Sequence, residues 1–297
     1  MTKVHVFGDT GGHALQLFAS LAEIGVDLET CEIPEGTAIV HLGDLIHRGP
    51  SSNTIVSKVD LLMERNPGQW LQVLGNHEFQ HIEDGIDFWR CNCSQDTAWT
   101  IERWYEEETA RIAWALEGVL PQKWTQGNRP TGQEELISSF LATHGGLTYP
   151  IWKQIGRPLH ARDAAAALQA NRSWYGDSVG EAMGANVFGV VGPVWAQAAV
   201  DTHSYWEMAS RDGAKLPFGQ LIGHSAPYDF ERKLWYGTTS RIFRENAKVD
   251  QENRRTVSFV AGSAIICMDP GYGKELNPKL NPTQPYLSFE IEGDIHV

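Results

Sequence analysis

The chain has little cysteine: Cys31, Cys91, Cys93 and Cys267 among 297 residues. So few thiols in so long a chain do not make a disulfide framework. Cys91-Asn92-Cys93 is not a usual zinc spacing, and no matching second pair exists. The four therefore read as ordinary reduced thiols. Basic residues are also short, 24 Lys and Arg against 37 Asp and Glu, for a formal charge of −13. That deficit argues against broad nucleic-acid binding, which needs cationic surface to neutralise phosphates. It leaves a phosphorylated substrate open, because metals and a few arginines can build a local positive site on an acidic protein. No apolar run approaches the ~18 residues of a membrane span, so no membrane partner is expected. The opening MTKVHVFGD enters a strand at once and lacks the charged-then-apolar pattern of a secretory signal. A cytoplasmic location is the default expectation. Internal repeats and low-complexity tracts are absent from the sequence.

What is present is ordinary for a globular protein, with 42% hydrophobic and 21% charged residues. The first part alternates strand and helix. Strands are predicted at 4–7, 38–42 and 70–74, and helices at 14–24 and after Ser51 or Ser52, either of which can cap. This order implies parallel neighbours with right-handed crossovers. A helix is predicted from about 96 to 118, where Ile101, Trp104, Tyr105, Ile112, Leu116 and Val119 recur at near-helical intervals. A fourth strand is expected at 137–143. Residues of about 149–218 differ in character, with an Ala-rich helix at 161–170 and many aromatics. They read as a helical, Trp-rich insertion within a single domain spanning 1–297. Strand-like runs follow at 219–222, 233–236, 256–261, 264–268 and 286–291. A helix-strand start and a strand-rich end suggest two sheets in a sandwich with helices outside.

Five short polar motifs sit where these strands end. They are GDTGGH (Gly8 to His13), GDLIHRG (Gly43 to Gly49), GNHE (Gly75 to Glu78), HGGL (His144 to Leu147) and GHS (Gly223 to Ser225). Asp, Asn and His thus collect on one edge of a sheet. A lone aspartate there would be weak, since Asp often caps the next helix. Asp9, Asp44, Asn76, His144 and His224 gain weight together. Mixed Asp, Asn and His ligation suits borderline metals, manganese first with iron or zinc possible, and not a purely oxygen-loving calcium site. Two such ions can turn water into a nucleophile against phosphate esters.

The ordered set resembles the calcineurin-like metallophosphoesterases, and within them the phosphoprotein phosphatase superfamily with its bacterial diadenosine tetraphosphatase-like branch. The resemblance covers roughly residues 3–148 and 219–270. It implies an α/β fold, a four-layer α/β/β/α sandwich of two mixed sheets. It implies that Asp9 and Asp44 bind one metal, and Asp44, Asn76, His144 and His224 the other. Arg48, helped by Asn76, would bind the phosphoryl oxygens. His77 would protonate or stabilise the leaving oxygen. The reaction implied is hydrolysis of a phosphate ester or phosphoanhydride by a metal-bridging hydroxide, the substrate being a phosphorylated small molecule, a nucleotide or a phosphoprotein. Glu78 reads as a supporting residue.

Two positions depart from the family. Its first motif is Asp-x-His-Gly, whereas here Gly11 takes the third place and a histidine appears only at His13. Either the glycine pair lets His13 loop back to the metal, or that metal lacks a ligand; His13 merely opening the next helix is the bland reading. His47 stands where many relatives place an aspartate behind the GNHE histidine, so His77 loses an anionic partner. A catalytically impaired nucleotide- or phosphoprotein-binding relative is the alternative function. An esterase reading of HGGL and GHSAP leaves Asp9, Asp44, Arg48 and GNHE without work, and Pro227 spoils the nucleophile elbow. Trp152, Trp174 and Trp195 suggest either a stacking wall for a nucleobase or core packing. Asp269 suggests a turn cap or an orienting partner for His224.

Overall fold

Strand β1 (Thr2–Phe7) alternates its faces: Val4 and Val6 enter one apolar cluster and Phe7 another. Helix α1 (Ala14–Glu23), β2 (Thr37–His41), α2 (Ser52–Arg65) and β3 (Trp70–Val73) follow, with β1, β2 and β3 parallel. The structure, a computed structural model, describes residues 2–82, 88–90, 93–117, 139–172, 191–272 and 281–291. Ser51 precedes α2 without a side-chain cap bond, and Ser52 Oγ instead accepts from His47 N at 2.9 Å. A single turn, α3 (Asn76–Phe79), leads towards α4 (Gln95–Glu106), which Ser94 caps by accepting from Thr97 N.

The long helix expected over 96–118 stops at Glu106. Glu108 turns left-handed at φ 56°, and the chain continues as β4 (Ala110–Arg111) and β5 (Ala113–Glu117). The reason is burial on two sides. Ala113 and Ala115 join one cluster while Trp114 and Leu116 join another. A strand that is apolar on both faces lacks the alternation that would separate it from a helix.

Next come β6 (Ser139–Thr143), α5 (Tyr149–Gln154), α6 (Ala161–Ala170) and a π-helical turn at Ala198–His203 running into α7 (Ser204–Ser210). Then follow β7 (Gly219–Ile222), the two-stranded pair β8 (Tyr228–Asp229) and β9 (Leu234–Trp235), and α8 (Arg241–Asn246). The chain closes with β10 (Ala247–Asp250), β11 (Arg255–Val260), β12 (Ser263–Cys267) and β13 (Tyr286–Ile291).

Two mixed sheets result. One runs β13-β1-β2-β3-β4, with β13 antiparallel to β1. The other runs β10-β11-β12-β7-β6-β5, with β12, β7 and β6 parallel. They face each other through Val4, Val40, Leu71 and Val73 on one side and Trp114, Phe140, Leu221 and Ile266 on the other. Helices α1, α2 and α4 cover the first sheet through Leu17, Leu21, Ile55, Val59 and Trp104. Helix α6 covers the second through Ala161, Ala164 and Leu168, and α7 adds Trp206 over Ile265 and Cys267. The layers are therefore α/β/β/α. Parallel strands carry their C-terminal ends to a common edge, so the loops after β1, β2, β3, β6 and β7 meet there.

Candidate metal centre

The first two loops are zipped together by backbone bonds. Thr10 N and Gly11 N donate to Asp44 O at 3.0 and 2.7 Å, and Gly49 N donates to Gly11 O at 2.7 Å. Gly12, at φ 80°, has no room for a side chain: a Cβ would lie 2.7 Å from Gly49 O. The loop after β3 locks onto the same point. Buried Glu78 accepts from Asp44 N (2.8 Å), Leu45 N (2.9 Å) and Gly75 N (2.8 Å). Burial, and then Asp44, push its carboxyl up to about 7. Glu78 is thus the bracket that holds the Asp44 loop, as a supporting residue should be. Gly75 passes so close that a Cβ there would meet Asp44 Oδ1 and Asp44 N. Asp44 and His224 sit in the left-handed region at φ 55° and 62°, a strained backbone of the kind functional sites keep.

These loops aim potential ligand atoms at one another. Asp44 Oδ1 lies 3.2 Å from His144 Nε2. Asn76 Oδ1 lies 3.0 Å from His144 Nε2 and 3.0 Å from His224 Nδ1. His144 Nδ1 donates to Leu42 O at 2.7 Å, so its hydrogen is committed there. In the neutral ring, Nε2 would face two oxygens with a lone pair, and such a cluster requires a cation. Metal-free, that cation is a second proton on His144. Burial opposes it, yet Asp44 drives the pKa up to about 9. Burial would likewise raise Asp44, but His144 and then His77 hold it well below the usual carboxylate range. A divalent ion satisfies the same four donors without a proton. Asp44, His144 and His224 offer ligand atoms within 4.8 Å of one another. Carboxylate, amide oxygen and two imidazoles fit a borderline divalent metal.

Asp9 borders this cluster. Its Oδ1 accepts from His224 N at 2.9 Å. His13 sits at the head of α1, its ring 5.3 Å from that of Tyr272. His13 Nε2 is buried with no hydrogen-bond partner, and burial lowers the ring's pKa. Asp269 caps its turn, accepting from Gly271 N (2.8 Å), and also accepts from Ala226 N (3.1 Å).

His77 stands on the other side of Asp44, its backbone N donating to Asp44 Oδ1 at 3.1 Å and its Nε2 3.8 Å from Asp44 Oδ2. Its Nδ1 meets His47 Nδ1 at 2.6 Å. Burial, then His77 and His81, press His47 down to about 3, so it is neutral. A neutral imidazole is therefore the group that backs the His77 ring. An aromatic collar surrounds this point, of which the sequence had pointed to Trp195 but not to Phe88 or Trp89. Arg48 lies over Trp89 at 4.8 Å, His77 contacts Phe88 and Trp89 at 5.2 Å each, and Trp195 touches Phe88 (5.0 Å) and His224 (5.9 Å). Of the two singled-out tryptophans that lie among the described residues, Trp195 reaches the site. Trp152 packs with Tyr149 and Trp206 in the core, and Trp174 lies outside the described residues.

Residues 2–250 match the family model of calcineurin-like phosphoesterases, and the chain belongs to that family. Its two facing mixed sheets form the metallophosphatase fold, and the family is one of metal-dependent phosphoester hydrolysis. Among solved structures, a cold-active protein tyrosine phosphatase is 16% identical over 97% of this chain and 73% of its own, at a TM-score of 0.46. A candidate diadenosine tetraphosphatase is 15% identical over 89% and 92%, at 0.35. A protein serine/threonine phosphatase from Saccharomyces cerevisiae is 15% identical over 98% and 81%, at 0.41. No curated protein sequence matches the chain at a significant level.

Proposed function

We propose that this protein hydrolyses phosphate esters or phosphoanhydrides with two divalent ions, manganese first and iron or zinc as alternatives. Asp44, Asn76, His144 and His224 would hold one ion; Asp9, Asp44 and His13 would hold the other. The observation that carries the reading is the convergence of Asp44 Oδ1, Asn76 Oδ1, His144 Nε2 and His224 Nδ1, four atoms able to ligate one divalent ion. Bound there, the ions would supply an activated water and neutralise charge on the phosphoryl oxygens.

The chain's own residues do the rest. Arg48, which lies over Trp89, would take phosphoryl oxygens through its planar fork. His77 is the proton donor to the leaving oxygen. Its partner His47 is neutral and supplies no negative charge to raise its basicity, so His77 acts more weakly than it would beside a carboxylate. Phe88, Trp89 and Trp195 surround this point and suit a phosphate ester carrying a planar aromatic group, a nucleobase or a phenol. One feature favours a binding relative that has lost hydrolysis: Gly11 replaces the first-motif histidine, and His13 rests against Tyr272.

The test is p-nitrophenyl phosphate hydrolysis by the metal-stripped protein after manganese is restored. Manganese-dependent turnover that disappears in Asp44→Asn supports the enzyme. No turnover, with less than one ion bound per chain, favours the binding relative.

A further inference from the structure

A second set of donor atoms lies beside the centre. One ring nitrogen each of His47 and His81 and the Sγ of Cys93 fall within 4.8 Å of one another. They come from three separate segments: the loop after β2, the turn after α3 and the approach to α4. His47 is buried and its backbone is tied to Ser52; His81 and Cys93 are part-exposed, which leaves a way in from solvent. The Nε2 atoms of His47 and His81 are 3.2 Å apart. Two imidazoles on a tetrahedral zinc, each about 2.0–2.1 Å from the metal, have their nitrogens roughly 3.3 Å apart. His47 Nδ1 faces His77 Nδ1 at 2.6 Å, so both nitrogens of this one ring meet other imidazole nitrogens. A neutral imidazole has one hydrogen and can donate to only one of them.

We propose that His47, His81 and Cys93 form a separate site for one zinc or similar borderline-soft cation, apart from the Asp44 centre. Two nitrogens and a thiolate are a zinc donor set, and three protein ligands leave the fourth tetrahedral position to water. The imidazoles bind neutral and the thiol binds as thiolate, so each ion taken up releases one proton from Cys93. Binding has a further consequence, which rests on the phosphoesterase reading. An ion on His47 Nε2 leaves that ring's hydrogen on Nδ1, where it donates to His77 Nδ1. The hydrogen of His77 is then on Nε2, the nitrogen 3.8 Å from Asp44 Oδ2. The ion thereby sets the tautomer in which His77 donates to a leaving oxygen, a task that falls to His47 in the absence of a carboxylate.

Cobalt, a spectroscopic stand-in for zinc, tests the site in the full-length, metal-stripped chain. A thiolate-to-cobalt charge-transfer band requires a sulfur ligand, which the Asp44 centre lacks. The band is expected in the parent protein and in Asp44→Asn, and not in Cys93→Ser. Zinc affinity is expected to fall by more than about 100-fold in both Cys93→Ser and His81→Ala, a larger loss than outer partners of a metal ligand give. Both substitutions fall at part-exposed positions, so the fold survives them. No band in the parent protein, or a band retained in Cys93→Ser, overturns the proposal and leaves a plain His47–His81 hydrogen bond. A missing band with manganese-dependent hydrolysis intact defeats this site alone. A band without hydrolysis defeats the phosphoesterase reading alone.

Discussion

The two halves of the proposed two-ion centre differ in how closely their donors meet. On one side Asp44, Asn76, His144 and His224 lie at 3.0–3.2 Å contacts, bracketed by Glu78 and by the backbone at Gly75. On the other, Asp9 is aligned by His224 N while His13 packs beside Tyr272 with a buried, unpartnered Nε2. In the tight half each of these side chains lies within hydrogen-bond distance of another. The loose half is where the first motif reads Asp-Thr-Gly-Gly-His. The neighbouring loops are fixed here by backbone bonds, as Thr10 and Gly11 are to Asp44 O.

The sharpest break of this comparison is Asp44→Asn, which touches both halves. It should lower hydrolysis on the order of 10³-fold or more, as loss of a central charge-stabilising group does, read as kcat with p-nitrophenyl phosphate. His77→Ala should cost roughly 100-fold, the low end for a general acid. It should also flatten one limb of the pH–rate profile, and an unchanged profile would remove His77 from proton transfer. His13→Ala should act only on the loose half. The expected change is from two ions bound per chain to one, with activity down about tenfold, in keeping with a single perturbed metal contact. Two ions still bound would leave His13 as a ring packed on Tyr272.

Gly75→Ala probes the bracket. Its Cβ would meet backbone and side chain of Asp44, so a loss of about 1–3 kcal/mol is expected in chemical denaturation. The smallest effect is on pH. His144 has a folded pKa raised from 6.5 to about 9, so its stabilising contribution is complete below 6.5 and lost as pH rises through 9. The metal-free protein should therefore lose thermal stability from pH 6.5 to 9, and the manganese-loaded protein should not. Equal profiles would mean that no ion replaces that proton.

Much of this was legible in advance. The strands carrying Asp9, Asp44, Asn76 and His224 lie within a residue or two of their expected bounds, because short apolar runs closed by Gly-Asp, Gly-Asn and Gly-His have few other readings. The 161–170 helix matches to the residue. The 113–117 strand did not read as one, because burial on both faces hides its period. Most of the aromatic collar, Trp195 apart, was hidden for a different reason. Phe88 and Trp89 are 11 and 12 positions past His77, and Trp195 lies more than a hundred further along. No periodicity relates them. The closeness of Cys93 to His47 and His81 was not legible either, because the three come from separate loops and make no spacing pattern.

Local sequence set the residue types of the candidate site, their order along the chain and their place at strand ends. Those follow from local chemistry: apolar runs make strands, and polar Gly-rich motifs end them. Tertiary structure alone decided which ends converge. It brought His144 within 3.2 Å of Asp44 across a separation of 100 positions, returned β13 to pair with β1, and set His47 against His77. Such proximities depend on sheet order and on packing between the two sheets, and these arise from contacts distant in the chain that no local pattern encodes.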